Sequence, residues 1–195
     1  MRHKLDDIYQ LSDFDTRKWE TYHEYCEVLD DLFHPKSFLD LGCAQGYTLD
    51  YFAHRIPSIG VEGTEVALQL TTRDILKYDL RDPLYVGRTF DLVNCTEVME
   101  HLEPEFEATL LDSIIRHADN WIIFTAASVW DKARGTPRQS HWNVKPYEYW
   151  VGMFETRKLT IRIDLRDKMR TMLQSKKHVY PWWGRDLIVC QHQQD

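Results

Sequence analysis

The chain has 195 residues, of which 43% are apolar and 13% aromatic, and its formal net charge is −7. This length and composition are typical of one globular domain with a sizeable core, and they exclude a disordered chain. There is no apolar run near the roughly 20 residues of a membrane span, no apolar signal segment at the N-terminus and no CxxC pair among the four cysteines. We therefore expect a cytoplasmic protein with reduced thiols and no membrane contact.

The first two thirds of the chain alternate between helical and strand patterns. Residues 1–16 are polar and predict a loosely held arm, and apolar residues at helical spacing predict a helix over 17–33. Further on, the patterns predict strands at 37–41, 58–62, 75–79, 90–95 and 120–126, and helices at 47–54, 64–72 and 97–117. This alternation is typical of a parallel sheet with helices on both faces.

The alternation of strand and helix patterns becomes irregular after residue 126. A long loop is predicted over 127–141, and loops of that length are often functional. A helix at 146–155, a strand at 159–164, a basic segment at 165–178 and a strand at 186–191 are expected to follow. We expect the last two strands to form an antiparallel edge of the sheet.

Charge is distributed unevenly along the chain. Residues 1–131 contain 11 Lys and Arg against 25 Asp and Glu, whereas residues 132–185 contain 13 against 4. Six of the seven tryptophans lie at or beyond Trp121. The basic, aromatic segment predicts one of two things: a partner with anionic and ring-shaped parts, such as a nucleic acid, or packing against the acidic part of the chain.

The most informative stretch runs from the first strand through a glycine-bearing turn into a helix. The turn contains Gly42 and Gly46, and Glu62 ends the second strand 20 residues after Gly42. This layout predicts a nucleoside-sized ligand at the carboxyl end of a parallel sheet, with Glu62 at the ribose hydroxyls. Tyr47 is too large for the third small position of the dinucleotide fingerprint, which argues against NAD.

The Asp40–Gly46 spacing resembles the motif of S-adenosylmethionine-dependent methyltransferases with the Rossmann-like fold. The run 90–102 (FDLVNCTEVMEHL) is similar to the segment after the fourth strand in that family. The resemblance covers 37–126, and Ala44 stands where the family more often has glycine. It implies an α/β fold with a doubly wound, mostly parallel seven-stranded sheet and an antiparallel last strand. It also implies S-adenosylmethionine as cofactor and S-adenosylhomocysteine as product.

We expect residues 1–195 to form a single domain. Its parts are an N-terminal arm and helix (1–36), a cofactor-binding core (37–126), and an acceptor loop and helix with the closing strands (127–195). In the core, Asp40 is expected to fix the glycine loop and face the ligand's ammonium through water, and Asp79 to accept the adenine amino group. The predicted cofactor-binding residues are Asp40, Gly42, Cys43, Ala44, Gly46, Glu62, Gly63, Asp79, Leu80, Thr96 and Glu97.

Two histidines are the candidates for catalysis, because an imidazole titrates near neutrality and can accept a hydroxyl proton. They are His101, after the fourth strand, and His141, after the long loop. Glu97, Glu100 and His101 are expected on one helical face. With His141 they could hold Mg²⁺ or Mn²⁺, as a similar Glu-x-x-Glu-His does in small-RNA 3′-end 2′-O-methyltransferases. The string also resembles that of methyltransferases not known for metal, so a metal is not favoured.

The acceptor is expected to be a sugar or a small hydroxylated metabolite. Residues 140–150 resemble a segment of small methyltransferases of polysaccharide and natural-product pathways, and Trp130 and Trp142 could stack on a ring, whereas Trp150 is expected to pack in the core. The favoured function is O-methylation. An RNA 2′-O-methyltransferase that binds phosphates through residues 132–185 is the alternative. A non-catalytic protein with the same fold is a third possibility, against which the intact Asp40, Gly42, Gly46 and Glu62 argue.

Overall fold

A seven-stranded sheet in the order β3-β2-β1-β4-β5-β7-β6 forms the centre of the protein. The computed structural model describes residues 4–5, 9–14, 19–128, 141–179 and 181–192. Strand β7 is antiparallel to both of its neighbours, and the other pairs are parallel. The strands are β1 (Phe38–Leu41), β2 (Ser58–Glu62), β3 (Leu76–Lys77), β4 (Phe90–Thr96), β5 (Ala118–Thr125), β6 (Leu159–Ile161) and β7 (Ile188–His192). The prediction of a mostly parallel sheet with an antiparallel last strand is confirmed.

Helices cover both faces of this sheet. Neighbouring strand residues point to opposite faces, so each face presents apolar side chains that a layer of helices buries. Phe38 and Leu92 join the core under α1, α2 and α6, whereas Leu39 and Val93 join the core under α4 and α5. The helices are α1 (Trp19–Phe33), α2 (Tyr47–Phe52), α3 (Glu65–Leu68), α4 (Glu107–His117), α5 (Tyr147–Glu155) and α6 (Ile163–Ser175).

The segment between β3 and β4 crosses one face of the sheet without a helix. Leu84 packs into the core. Its N–H donates to Ser113 Oγ at 3.2 Å, and the N–H of Val86 donates to His117 Nε2 at 3.2 Å. Side chains of α4 thus satisfy backbone donors that a helix would have satisfied internally.

Two elements near β2 are shorter than predicted. The helix expected at 64–72 comprises only α3, because Thr71 Oγ1 accepts from the N–H of Arg73 and turns the chain away from the helix. The strand expected at 75–79 is reduced to β3, since Asp79 Oδ1 accepts from the N–H of Arg81 and the backbone leaves the sheet edge.

Two further predictions were wrong. The helix expected at 97–117 is broken into two short 3₁₀ turns, Met99–His101 and Pro104–Phe106, followed by α4, because Pro104 cannot continue a helix interior. The strand expected at 159–164 ends at residue 161, and most of the basic segment forms α6.

Strands β1 and β4 lie side by side at the centre of the sheet, and the chain builds outward from them in opposite directions. In open parallel sheets a ligand crevice forms at such a reversal, beyond the carboxyl ends of the strands. The candidate site is therefore expected at the ends of β1 and β4.

Candidate functional site

A cavity of about 240 Å³ lies at the carboxyl ends of β1, β2 and β4. Most of the predicted cofactor-binding residues line it: Gly42, Cys43, Ala44, Glu62, Gly63, Asp79, Leu80 and Glu97. His101 also lines it, whereas Asp40, Gly46, Thr96 and His141 are not part of its lining. The sequence pattern and the geometry thus select the same edge of the sheet.

The glycine turn after β1 forms one wall of the cavity. Gly42 has a φ of +77°, and a Cβ there would lie 2.3 Å from Val98 Cγ2, so only glycine fits. Gly46, also at +77°, starts α2. Ala44 has a φ of +49°, a conformation that favours glycine, and its N–H donates to Glu62 Oε2 at 2.9 Å.

Glu62 fixes two loops with one carboxylate. While Oε2 binds the turn at Ala44, Oε1 accepts from the N–H and the hydroxyl of Thr64, both at 2.8 Å. The side chain is only 8% exposed, and its exposed part faces the cavity beside Gly63. Two hydrogen bonds fill the acceptor positions of Oε1, but Oε2 accepts only one, so it can also receive a hydroxyl donor from a ligand.

Asp79 is held by an arginine that the sequence analysis did not consider. Arg81 donates to both of its carboxylate oxygens, at 2.8–3.1 Å. The guanidinium is 5% exposed, lies 3.4 Å from Glu103 and lines the cavity with Leu80. The carboxylates raise the pKa of Arg81 further, so it remains charged. Asp79 therefore faces the cavity as half of a fixed ion pair.

Asp40 is buried behind the glycine turn. It accepts hydrogen bonds from the Thr48 hydroxyl and, at 2.7 Å, from Asn94 Nδ2. Asn94 accepts in turn from the Tyr25 hydroxyl at 2.7 Å. Burial raises the pKa of Asp40 to about 6. This network joins α1, β1, β4 and the first turn of α2, and so it fixes the base of the turn.

Glu97 does not share a helical face with Glu100 and His101, as was expected. It lies before the first 3₁₀ turn with a φ of +57°, and its Oε1 accepts from the Thr125 hydroxyl at 2.8 Å. Its N–H also contacts that hydroxyl at 3.1 Å. The ends of β4 and β5 are joined in this way, and Glu97 is separated from the other two residues.

The fold instead brings His141 to His101, across 40 residues of chain. Their ring centroids are 4.8 Å apart, and ligand atoms of Glu100, His101 and His141 all lie within 4.8 Å of one another. Burial, aided by His141, lowers the pKa of His101 to about 3, so its imidazole is neutral at physiological pH. Two imidazoles and a carboxylate are a donor set that could hold a divalent ion, but a metal is not favoured for this protein.

Buried polar contacts anchor the segment that carries His141. The N–H of Asn143 donates to the carbonyl of Glu100 at 3.2 Å, and its side chain donates to Glu107 at 3.1 Å. Glu107 also accepts from the Tyr149 hydroxyl, which raises the Tyr149 pKa to about 12. Trp150, 2% exposed, packs on Phe124 as predicted. Trp130 lies outside the described residues, and Trp142 is not part of the cavity lining.

Aromatic side chains form a wall that the sequence analysis missed. Its members come from the N-terminal arm (Tyr9, Phe14), from α1 (Tyr22) and from α2 (Tyr47), and all four line the cavity. The Tyr22 and Tyr47 ring centroids are 5.6 Å apart. Helical spacing could have placed Tyr22 on the buried face of α1, but nothing in the sequence indicated that the arm returns to the site.

The basic C-terminal segment pairs in part with acidic residues of α1 and α4. Lys176 Nζ lies 2.7 Å from Glu27 Oε2, His178 lies 2.9 Å from Glu24, and Arg157 lies 2.9 Å from Asp112. Packing against the acidic part of the chain, one of the two readings of the charge asymmetry, thus accounts for Lys176 and Arg157.

The sheet order, the glycine turn and the acid at the end of β2 define a nucleoside-cofactor protein of the Rossmann-like methyltransferase class. Residues 16–155 match the family described as "Methyltransferase domain", and the chain belongs to this family. The protein is an enzyme that uses S-adenosylmethionine as its cofactor.

Solved structures of low sequence identity share this fold. The plantazolicin methyltransferase BpumL, in complex with SAH, has a TM-score of 0.62 at 14% identity, over 93% of this chain and 88% of its own. The YcgJ protein from Bacillus subitilis has a TM-score of 0.62 at 13% identity, and the match covers 89% of this chain and 100% of YcgJ. The SAM-bound amino pentose methyltransferase CalS10 from Micromonospora echinaspora has a TM-score of 0.51 at 20% identity. The match covers 60% of this chain and 56% of CalS10.

The relatives differ in length. DesVI of Streptomyces venezuelae matches at 17% identity and a TM-score of 0.50, and the chain spans about half of it (54%). No curated protein matches the sequence. In the part of the chain that the structure describes, no helix is long and apolar enough to cross a membrane.

Proposed function

We propose that this methyltransferase transfers a methyl group to a hydroxyl of a sugar or another small hydroxylated metabolite. The observation that carries the proposal is the pairing of His101 and His141 at the end of β4, with His101 open to the cavity and neutral. When bound, S-adenosylmethionine supplies an electrophilic methyl group on its sulfonium sulfur. The protein's own task is to hold the acceptor and to receive its proton.

Several residues are proposed to bind the cofactor. Gly42 and Gly46 shape the turn for the methionine part, and Glu62 binds the ribose through the acceptor position of Oε2 that Ala44 leaves free. Asp79 and Leu80 contact the adenine. Asp40 supports the site without contacting the cofactor, since the hydrogen bonds that it accepts from Thr48 and Asn94 fix the turn. These placements fit a nucleoside ligand that lies along the carboxyl edge of the sheet.

The two histidines are proposed to receive the acceptor's proton together. An imidazole with a pKa of about 3 is a weak base toward a resting hydroxyl, so His101 alone would accept the proton only as the oxygen becomes positively charged. The His141 ring, 4.8 Å away, gives the proton a second nitrogen base within reach. Asn143 and Glu107 hold this arrangement by fixing the segment that follows His141.

The RNA alternative is not favoured. The pairing of Lys176 and Arg157 with acidic residues reduces the positive charge available for phosphates. We also propose that residues 1–195 act as one domain, because β1 to β7 form a single sheet, and that the protein works in the cytoplasm. All four cysteines are buried thiols, which supports a reducing location.

The test is methyl transfer from labelled cofactor to pools of sugars, hydroxylated small molecules and RNA. We expect label on hydroxyls of the small-molecule pools. His141→Ala should lower turnover by about 10²–10⁴-fold, the range for loss of a general base, and leave the affinity for S-adenosylhomocysteine unchanged. His54→Ala, at an exposed position remote from the cavity, is the matched control. Label on RNA alone, or full turnover by the His141 variant, would contradict the proposal.

A further inference from the structure

Arg81 is a buried cation between two carboxylates at one end of the cofactor cavity. Its side chain is 5% exposed, and it lies between Asp79, which is 30% exposed, and Glu103, which is 10% exposed. A buried charge is costly unless it is paired, and replacing a buried ion pair by apolar side chains often leaves a protein equally stable. Stability alone therefore does not account for this cation, and its place on the cavity lining points to a role toward the ligand.

Two segments of the chain meet at this cation. Asp79 and Arg81 follow β3, at one edge of the sheet, whereas Glu103 follows β4, near its centre. Arg81 Nε and Nη2 donate to the Asp79 carboxylate at 2.8–3.1 Å, and the N–H of Arg81 donates to Asp79 Oδ1 at 3.0 Å. On the other side, Nη1 lies 3.4 and 3.5 Å from the two oxygens of Glu103. The guanidinium is thus held between two acids, and it fixes the orientation of the Asp79 carboxylate.

Arg81 also fixes the charge of Asp79. Without the cation, Asp79 and Glu103 would be two acids at the same end of the cavity, and both burial and a nearby like charge favour the protonated form of a carboxyl group. A cation within hydrogen-bond distance favours the ionised form instead. An ionised carboxylate only accepts hydrogen bonds, whereas a protonated one can also donate. With Arg81 in place, Asp79 therefore offers the cavity acceptors alone.

A group that only accepts hydrogen bonds distinguishes between purine bases. In the proposed placement of the cofactor, Asp79 receives the amino group of adenine. This amino group donates to a carboxylate, whereas the oxo group that hypoxanthine carries at the same ring position is an acceptor and is repelled. A protonated carboxyl group or an amide would tolerate both bases, because each can donate as well as accept.

We propose that Arg81, held by Glu103, is a positioning residue that sets the base selectivity of the cofactor site. By keeping Asp79 oriented and ionised, it makes the site bind adenine and reject 6-oxopurines. The inference rests on the proposed function, in which adenine lies at Asp79. It does not depend on the identity of the methyl acceptor.

The first test compares S-adenosylhomocysteine with S-inosylhomocysteine, in which an oxo group replaces the amino group of the base. In calorimetry the wild type should prefer the adenine ligand by about 100-fold or more. Arg81→Met should reduce this preference by at least about tenfold, the scale of one charge-assisted hydrogen bond. Arg88→Met is the matched control, because that arginine is exposed and does not line the cavity. General damage to the site would weaken both ligands alike, so an unchanged preference in Arg81→Met would overturn the proposal.

Asp79→Asn separates this inference from the proposed placement of adenine. The amide can donate as well as accept, so the preference for the adenine ligand should fall in this variant. An unchanged preference in Asp79→Asn would refute the adenine placement and the inference with it. A reduced preference in Asp79→Asn together with an unchanged one in Arg81→Met would refute the inference alone.

Glu103→Gln tests the same arrangement with a smaller disturbance than the loss of the arginine. Glutamine has the size of glutamate and removes one charge, while Asp79 still pairs with Arg81. We expect the preference for the adenine ligand to fall in this variant too, by a smaller factor than in Arg81→Met. If Arg81→Met does not fold, this variant decides the question, and a wild-type preference in a folded Glu103→Gln protein would overturn the proposal.

Discussion

Glu62→Gln separates the two roles assigned to this carboxylate, fixing the loops and binding the ligand. The carboxylate of Glu62 accepts three hydrogen bonds, two from Thr64 and one from the N–H of Ala44. Glutamine has the same shape but only one acceptor oxygen. In the variant, either the N–H of Ala44 or the donors of Thr64 would therefore face an amide group that cannot accept from them.

The structure sets the size of both effects. A buried donor left without an acceptor costs about 1–3 kcal/mol, and for a chain of this length each kcal/mol lowers Tm by about 2–4 °C. We therefore expect the unliganded Glu62→Gln protein to melt about 2–12 °C below the wild type. Losing charge-assisted hydrogen bonds to ribose should weaken S-adenosylhomocysteine binding by about 10–100-fold.

Calorimetry with S-adenosylhomocysteine and with an analogue lacking one ribose hydroxyl measures the second effect. If Glu62 binds the ribose, the substitution should cost less affinity with the analogue than with the intact ligand. Glu65→Gln is the matched control, because that carboxylate is exposed, pairs with Lys77 and does not line the cavity. An unchanged affinity in Glu62→Gln, with a melting shift no larger than that of Glu65→Gln, would refute the reasoning.

Two further predictions concern His101 and Ala44. The folded protein keeps His101 neutral down to pH about 3, whereas the unfolded chain takes up this proton near pH 6.5, so the free energy of unfolding should fall as the pH drops below 6.5. Urea titrations should show up to about 3 kcal/mol more loss between pH 6.5 and 4 in the wild type than in His101→Asn, and parallel curves would contradict this. Ala44→Gly should raise the free energy of unfolding by about 1 kcal/mol, because it relieves the positive φ of +49°, and should leave cofactor affinity unchanged. Ala44→Val, with a branched side chain at that φ, should destabilise, and equal stability of the two variants would count against the strain.

The sequence by itself determined the class of fold and predicted the edge of the sheet at which the candidate cavity lies. Period-two apolar runs and helical spacing are local properties, so the strand–helix alternation was visible without contacts. The turn at Gly42 and Gly46 and the acid at Glu62 depend equally on local backbone geometry, and they lie in the structure where their spacing predicted.

Local patterns failed where a single residue or a distant contact decides the conformation. Pro104 interrupts the long helix predicted after β4. Glu97 lies before that helix at a φ of +57° and binds Thr125 rather than facing His101. The hydrogen bonds that Thr71 and Asp79 accept from the backbone shorten the neighbouring helix and strand. Competition between side chains and secondary structure for backbone donors is weakly encoded in periodicity.

Only the tertiary structure decided which distant residues share the site. His141 reaches His101 where the contact of Asn143 with Glu107, 36 positions apart, fixes the segment that follows His141. Leu5 and Tyr9 line the cavity although the sequence of residues 1–16 is polar overall, since just a few apolar side chains need to face inward. Such pairings depend on where the folded chain returns in space, and no local preference of the residues specifies that.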